Sequence, residues 1–188
     1  MSKPLLIIIS GLPGTGKTTI SKRIAKELSL PLINRDEIKE ALFDTLGIKD
    51  REWSKKLGVA SYKILYQIID SFLQANRTII IESNFKPEFD DKRFLDLQKI
   101  YKFESIQIIC KTDGEILFER FKKRSESGER HPGHVDDQNY DEFKEILLQG
   151  KYQALNLGSD TLDIDTTNFD TIDYNSIFSA IKLVSTKT

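Results

Sequence analysis

The sequence predicts an α/β fold in which a parallel sheet of about five strands carries helices on both faces. Apolar runs rich in Ile and Leu alternate along the chain with longer amphipathic stretches, and no repeat or low-complexity tract interrupts them. Strands that are apolar throughout are buried on both faces, which is typical of a parallel sheet joined by right-handed helical crossovers. The 188 residues suffice to bury a sizeable core, and we predict a single domain over residues 1–188.

Each element follows from its local pattern. Strands are predicted where short apolar runs are bounded by polar or turn residues, at Leu5–Ser10, Pro31–Asn34, Thr78–Ser83, Ser105–Lys111 and Thr161–Asp165. Helices are predicted where apolar residues recur at helical spacing, at Gly16–Leu28, Asp36–Leu46, Glu52–Ala75, Pro87–Tyr101, Gly114–Ser127, Asn139–Gln149 and Thr171–Val184. Ligands of such sheets gather at the carboxyl ends of the strands, so the residues that follow each strand are the candidates for a functional site.

The first strand leads into a complete phosphate-binding loop, G-x-x-x-x-G-K-T, at residues 11–18. Its glycines let successive backbone N–H groups curve around a phosphate, and the following helix points its positive end at the anion. Lys17 would reach the β- and γ-phosphates of ATP, and the Thr18 hydroxyl would ligate Mg²⁺. A plain turn would explain Gly11 but not the Gly-Lys-Thr end of the motif. The predicted nucleotide-binding residues are Gly11, Leu12, Pro13, Gly14, Thr15, Gly16, Lys17, Thr18 and Thr19.

Asp36 follows the second strand, where a helix is expected to begin. A carboxylate there could orient an acceptor hydroxyl and take its proton, which is the task of a catalytic base in phosphoryl transfer. It could equally cap the helix, because acidic side chains stabilise the first turn. We favour the catalytic role and allow that Asp36 also caps.

Glu82, Ser83 and Asn84 follow the third strand. Glu82 could hold Mg²⁺ through water, and Asn84 could contact the acceptor. The alternative for this stretch is a strand-to-helix cap, in which Ser83 or Asn84 satisfies backbone N–H groups ahead of Pro87. For Glu82 both interpretations stay open.

Arg120 and Arg124 stand one helical turn apart and share a helix face. The stretch after them, up to His134, contains two glycines and a proline, which predicts flexibility. We predict a basic lid over approximately residues 114–138 that closes over a triphosphate, excludes water and supplies charge to the transferring group. A merely solvated helix face is the alternative. For His131 and His134 we favour polar loop contacts over a metal site, because no third ligand supports one.

The phosphate loop, Ile33-Asn34-Arg35-Asp36, Ser83-Asn84-Phe85-Lys86-Pro87 and the pair Arg120 and Arg124 together carry a resemblance. They resemble the kinase domain of polynucleotide 5′-hydroxyl kinases and the wider group of small P-loop kinases that includes chloramphenicol phosphotransferase and zeta-toxin-like enzymes. The resemblance implies a P-loop kinase fold and transfer of the γ-phosphate of ATP, with Mg²⁺, to a hydroxyl group.

The resemblance also implies roles for individual residues. Asp36 matches the general base. The acceptor-side residues would be Arg35, Asp36, Lys39, Ser83 and Asn84. The catalytic group would be completed by Lys17, Arg120 and Arg124, with Arg124 also contacting ATP. Thr166 and Thr167, after the last strand, match a segment that lies beside the adenine base.

The acceptor itself is open to two interpretations. Lys39 stands where the polynucleotide enzymes use arginine, and lysine offers only a point charge. The 28 basic residues are balanced by 29 acidic ones, which argues against a general nucleic-acid surface. We therefore predict a small acceptor, such as a metabolite, nucleoside or antibiotic, with a polynucleotide 5′-hydroxyl as the alternative. A nucleotide-driven switch ATPase or GTPase is a third hypothesis, but the chain lacks N-K-x-D and D-x-x-G motifs.

The composition indicates where the protein is located and how its cysteine behaves. No apolar run approaches the ~20 residues of a membrane span, so we expect no membrane association and a cytoplasmic location. Cys110 is the single cysteine and lies in an apolar run, which predicts a packed thiol. The sequence leaves the oligomeric state open.

Overall fold

Helices and strands follow one another in the order that the sequence predicts. The structure is a computed structural model that describes residues 3–128, 130–134 and 140–186. The strands are β1 Leu5–Gly11, β2 Leu32–Asn34, β3 Ile79–Glu82, β4 Glu104–Lys111 and β5 Asp160–Asp165. The helices are α1 Lys17–Leu28, α2 Arg35–Leu46, α3 Arg51–Gln74, α4 Pro87–Tyr101, α5 Gly114–Glu126, α6 Tyr140–Gln149 and α7 Tyr174–Ser185. Residues 129 and 135–139, which include part of the predicted lid, lie outside the described residues.

The five strands form one parallel sheet in the order β2-β3-β1-β4-β5. This confirms the predicted parallel sheet. Apolar side chains of α1 and α7 pack on one face and those of α3 and α4 on the other, so β1 is buried along its whole length. The register sets Glu82 level with Ile9 on β1 and with Asn34 on β2. The ends of three neighbouring strands therefore meet at one edge.

A smaller apolar cluster lies beyond that edge. Leu117 and Phe121 of α5 pack with Leu147 of α6 and with Leu12 of the phosphate loop, and all four side chains are buried. This cluster attaches α5 to the loop and places one face of α5 over the carboxyl ends of the strands.

The structure does not show the helix caps that the sequence left as alternatives at Asp36, Ser83 and Asn84. The N-cap of α2 is Asn34, whose side-chain oxygen accepts a hydrogen bond from the Asp36 N–H at 2.7 Å. Asp36 lies inside the first turn instead. The N-cap of α4 is Lys86, without a side-chain bond, and the Asp90 carboxylate accepts the Lys86 N–H at 2.6 Å. Neither Ser83 nor Asn84 is needed as a cap, so their side chains are available for another role.

Candidate active site

A cavity of about 520 Å³ opens at the carboxyl edge of the sheet, between the phosphate loop, the start of α2, the end of β3, α5 and the segment 130–134. Most of the predicted site residues line it. They are Pro13, Gly14, Gly16, Lys17, Thr18, Thr19, Arg35, Asp36, Lys39, Glu82, Ser83, Asn84, Arg120 and Arg124. The topology thus brings together residues that the sequence places in four separate stretches.

The phosphate loop has the backbone conformation that its glycines predict. Gly16 has φ 79° at the N-cap of α1, a left-handed conformation that other residues rarely adopt. A Cβ there would also lie 2.3 Å from the Phe169 ring, and a Cβ at Gly11 would lie 2.4 Å from the Cys110 carbonyl oxygen. Both positions therefore require glycine.

Lys17 lies across this loop. Its Nζ donates a hydrogen bond to the Leu12 carbonyl oxygen at 2.9 Å. Burial lowers the pKa of Lys17, while the nearby carboxylates of Glu82 and Asp36 oppose that effect. The ammonium is therefore held where the loop would receive phosphate, and an anion bound there would favour its charged form.

Glu82 is the buried centre of a hydrogen-bond network. Its Oε1 accepts the Thr18 hydroxyl at 2.9 Å, and its Oε2 accepts the Ser21 hydroxyl at 2.8 Å and the Asn34 amide at 3.0 Å. Burial raises the pKa of Glu82, and the charge of Lys17 only partly offsets this. Adjacent hydroxyl and carboxylate oxygens are the donors that Mg²⁺ prefers, so Thr18 and Glu82 fit the metal site predicted from the sequence.

Asp36 lies between two arginines. Its carboxylate accepts hydrogen bonds from Arg35 and from Arg130, the latter at 3.0 Å. Burial by itself would raise the pKa of Asp36, but the two guanidinium groups outweigh it and hold the pKa of this carboxyl well below its usual range. Asp36 is therefore ionised at neutral pH and can accept a further hydrogen bond from a ligand.

Several cations lie around Asp36 in the cavity. Arg35, Lys39, Arg51 and Arg130 all line it. Lys39 is buried, and its Nζ donates to the Ser54 hydroxyl at 3.0 Å. Burial and the charge of Arg35 lower the pKa of Lys39 to about 8. These four cations face three carboxylates, Asp36, Glu37 and Glu40, so this part of the cavity carries only a small net positive charge and suits a polar or anionic ligand.

Arg120 joins α5 to the loop that follows β5. Its guanidinium donates to the Thr166 and Thr167 carbonyl oxygens at 2.8 and 2.7 Å. The buried Thr166 hydroxyl in turn donates to the Thr15 carbonyl oxygen at 2.7 Å. Thr166 and Thr167 are thus tied to the phosphate loop and to α5. Arg124 lies on the same face of α5 and lines the cavity, as its spacing from Arg120 predicts.

Both histidines pack against α2. The His131 ring stacks on Phe43 at 5.4 Å and bonds Asp44 at 3.1 Å, while His134 bonds Glu40 at 2.9 Å. Within the described ranges, no group of three or more His, Cys, Asp or Glu side chains could hold a metal ion. The polar contacts predicted for these histidines are present, and they fix the segment that carries Arg130.

Sequence reasoning missed four residues of the site: Ser21, Asn34 as a partner of Glu82, Arg51 and Arg130. Ser21 lies one helical turn beyond Thr18, so its spacing could have suggested a shared ligand. Arg51 gave no local signal, and Arg130 lies in the predicted basic lid but was not singled out as a partner of Asp36. Arg130 meets Asp36 across 94 residues of chain.

The fold and this site define a P-loop kinase domain. Residues 6–147 match the protein family described as an AAA domain, and the chain belongs to that family. A crystal structure from Chloroflexus aurantiacus, provisionally described as a kinase, is 40% identical with a TM-score of 0.91, over 97% of this chain and 98% of that one.

Two relatives with named activities are more distant. A shikimate kinase from Bartonella henselae is 26% identical, over 96% of this chain and 80% of that protein. A cytidylate kinase from Pyrobaculum islandicum is 39% identical over 51 residues, which is 27% of this chain and 28% of that protein. The chain is therefore a kinase-like P-loop domain related to small-molecule kinases. The finer resemblance to polynucleotide 5′-hydroxyl kinases, chloramphenicol phosphotransferase and zeta-toxin-like kinases stays a prediction.

The sequence also predicts no membrane-spanning segment. In the part of the chain that the structure describes, no helix is long and apolar enough to span a bilayer.

Proposed function

We propose that the protein transfers the γ-phosphate of ATP to a hydroxyl group of a small-molecule acceptor. The observation that carries the proposal is that Lys17, Glu82 and Asp36 line one cavity. Phosphoryl transfer requires a cation that binds the phosphates, a carboxylate that holds Mg²⁺ and an ionised carboxylate that binds the acceptor hydroxyl. The relationship to proteins named shikimate kinase and cytidylate kinase supports a small acceptor.

In the proposed reaction, the acceptor oxygen forms a bond to the γ-phosphorus while the bond from that phosphorus to the β–γ bridging oxygen breaks. ADP leaves with the bonding electron pair. Asp36 would accept a hydrogen bond from the hydroxyl, orient it and take its proton. Because the pKa of Asp36 is low, it is a weak base, so its main contribution would be to orient the hydroxyl and to stabilise the proton that leaves late in transfer.

The remaining predicted site residues would bind ATP and its metal ion. Thr18 and Glu82 would hold Mg²⁺, which when bound neutralises negative charge on the phosphates. Arg124 and Arg120 would act as lid cations, and Thr166 and Thr167 would lie beside the adenine base. The 2.7 Å bond from Thr166 to the Thr15 carbonyl supports this placement, because it holds that segment next to the phosphate loop.

A polynucleotide 5′-hydroxyl is the second candidate acceptor. The observation that favours it is the group of cations around Asp36, formed by Arg35, Lys39, Arg51 and Arg130. Such a group could bind the phosphate that follows a 5′-terminal nucleoside. Glu37 and Glu40 lie in the same wall of the cavity and reduce its net charge, which favours the small acceptor.

The test measures γ-phosphate loss from ATP with and without a panel of acceptors. The panel would contain sugars, nucleosides, cytidine monophosphate and 5′-hydroxyl oligonucleotides. Transfer to an alcohol, abolished in Lys17→Ala and retained in the exposed control Lys26→Ala, would support the proposal. Slow hydrolysis that ignores every acceptor would instead identify a nucleotide-driven switch, and transfer only to the monophosphate would replace the alcohol with a phosphate acceptor.

A further inference from the structure

A second cavity, of about 480 Å³, adjoins the first. Arg35 and Asn84 line both cavities, so the two spaces adjoin at these side chains, and Arg35 also contacts Asp36 of the first cavity. The rest of the second cavity is formed by one side of α3 and by the start of α4. None of the roles assigned above to ATP or to the transferring phosphate uses this space.

The wall of the second cavity on α3 is aromatic. Tyr62 and Tyr66 are stacked, with ring centres 6.5 Å apart and planes inclined by 28°. Their hydroxyls are both engaged by residues that also line the cavity: Tyr62 donates to Asn84 Oδ1 at 3.2 Å, and Tyr66 donates to Asp90 Oδ1 at 2.6 Å. The rings are therefore fixed, and the lining that they provide is largely apolar.

The rim of the cavity exposes apolar side chains, and the lining also includes Lys63, Lys86 and the buried Asp90. Val59 is 59% exposed and Phe89 is 76% exposed, and both line the space. The Arg35 guanidinium lies 4.9 Å from the centre of the Tyr62 ring, at the boundary with the first cavity. An aromatic wall, an apolar rim and a planar cation at one end suit a flat ring, because aromatic faces and guanidinium planes both stack on such a ring.

We propose that the second cavity binds an aromatic ring in the non-reacting part of the acceptor. The acceptor would be an alcohol whose hydroxyl reaches Asp36 past Arg35 and Asn84 while its ring lies between the α3 tyrosines and Phe89. Nucleosides and aryl glycosides both have this chemistry. The inference rests on the proposed function, and it narrows the small acceptor to alcohols that carry a ring.

The test compares binding of three ribosides that differ in the aglycone: methyl β-D-ribofuranoside, phenyl β-D-ribofuranoside and uridine. Calorimetric titrations would contain saturating non-hydrolysable ATP analogue with Mg²⁺, so that the nucleotide site does not take the probes. We expect the two ring-bearing probes to bind about tenfold more tightly than the methyl riboside, the advantage of one good aromatic contact. Preference for uridine over the phenyl riboside would identify a nucleoside acceptor, and the reverse an aryl one.

Val59→Glu places a charge on the apolar rim at an exposed helix position, so it should not disturb folding. Its matched control is Ile100→Glu, since Ile100 is 66% exposed on α4 and does not line either cavity. The tighter binding of the two ring-bearing probes, relative to the methyl riboside, should disappear in Val59→Glu and persist in Ile100→Glu. Equal binding of all three probes by the unmodified protein, or an undiminished ring advantage in Val59→Glu, would overturn the second-cavity proposal. Such a result would leave phosphoryl transfer itself intact, because transfer is measured separately with Lys17→Ala.

Discussion

Asp36 shows how its neighbours set the chemistry of one carboxylate. Arg35 precedes it in sequence, whereas Arg130 reaches it from a distant segment, and together they keep it ionised. An ionised carboxylate is a good hydrogen-bond acceptor but a weak base. Because Asn34 caps α2, the carboxylate of Asp36 is not required to start that helix.

We expect Asp36→Asn to lower the rate of transfer by roughly 10²–10⁴-fold while ATP affinity changes little. The amide keeps the shape of the side chain but carries no negative charge, so it can neither orient the hydroxyl as strongly nor stabilise the proton that leaves late in transfer. Steady-state kinetics with the best acceptor would measure the effect. Glu27→Gln is the matched control, because Glu27 is an exposed carboxylate on α1 that lines neither cavity. Activity within a few-fold of the unmodified protein would exclude a catalytic role for Asp36.

The lowered pKa of Lys39 predicts that the free energy of unfolding depends on pH. Its pKa is about 8 in the folded protein, below its ordinary value of 10.5, because it is buried and faces Arg35. Below pH 8, Lys39 is protonated in both the folded and the unfolded state, so burying its charge lowers the free energy of unfolding by the full amount. Between pH 8 and 10.5 the unfolded chain holds a proton that the folded protein has lost, so the free energy of unfolding rises with pH.

Lys39→Met removes this titration. The variant should be more stable than the unmodified protein at pH 7, and the difference should narrow as pH rises towards 10. Urea denaturation at intervals of pH measures it, with Lys26→Met as the control for loss of an exposed charge. A difference that stays constant from pH 7 to pH 10 would contradict the assigned pKa.

At the scale of elements, the segment 130–134 is positioned by its packing on α2. Gly133 lies against the buried Phe43 ring, and the Gly133 carbonyl accepts the Ser54 hydroxyl of α3 at 2.9 Å. The Arg130 guanidinium bonds Asp36 and also lies 3.0 Å from His134 Nδ1. The position of Arg130 therefore depends on the close approach of Gly133 to Phe43.

Gly133→Ala should disrupt that approach. A Cβ at this position would lie 2.4 Å from Phe43 ring carbons, so the segment must shift. We expect a loss of about 1–3 kcal/mol in the free energy of unfolding, which is typical of overpacking. The rate of transfer should fall as well, because Arg130 would move from Asp36.

The matched control is Gly58→Ala on α3. A Cβ there would meet its nearest atoms, on Arg35 and Lys39, at an ordinary 3.9 Å. Replacing a glycine within a helix should stabilise the protein by up to about 1 kcal/mol. Urea denaturation and kinetics would be measured on both variants. Equal stability of the two would show that Phe43 accommodates the added methyl group.

At the scale of the whole molecule, charge is balanced rather than concentrated. The chain has 28 basic and 29 acidic residues, and the cations around Asp36 are interleaved with Glu37 and Glu40. A protein that binds a nucleic-acid strand contacts several successive phosphates, so its affinity for the strand falls steeply as the salt concentration rises.

We therefore expect 5′-hydroxyl DNA and RNA oligonucleotides to be poor acceptors at physiological salt. The measurement is end-labelling with radioactive ATP at low and physiological salt, alongside the best small acceptor as the positive control. Weak labelling that disappears as salt rises would agree with the charge balance. Efficient labelling under both conditions would favour the polynucleotide kinase alternative.

The sequence alone determined the phosphate loop and every helix and strand named above. These features depend on local properties: the spacing of apolar residues decides helix or strand, and glycine is required at Gly16 because of the backbone conformation there. The buried β1 and its place in a parallel sheet follow from its apolar run. Lys17 follows from the phosphate-loop motif, and Asp36 and Glu82 follow from their positions at strand ends.

The tertiary structure alone decided which side chains meet. Arg130 contacts Asp36 across 94 residues, and Thr166 contacts Thr15 across 151. No local pattern encodes such pairs, because they depend on how α5 and the segment 130–134 pack over the strand ends. The aromatic cavity beside Arg35 arises in the same way, since Tyr62 on α3 and Phe89 on α4 are brought together only by the packing of those helices on the sheet.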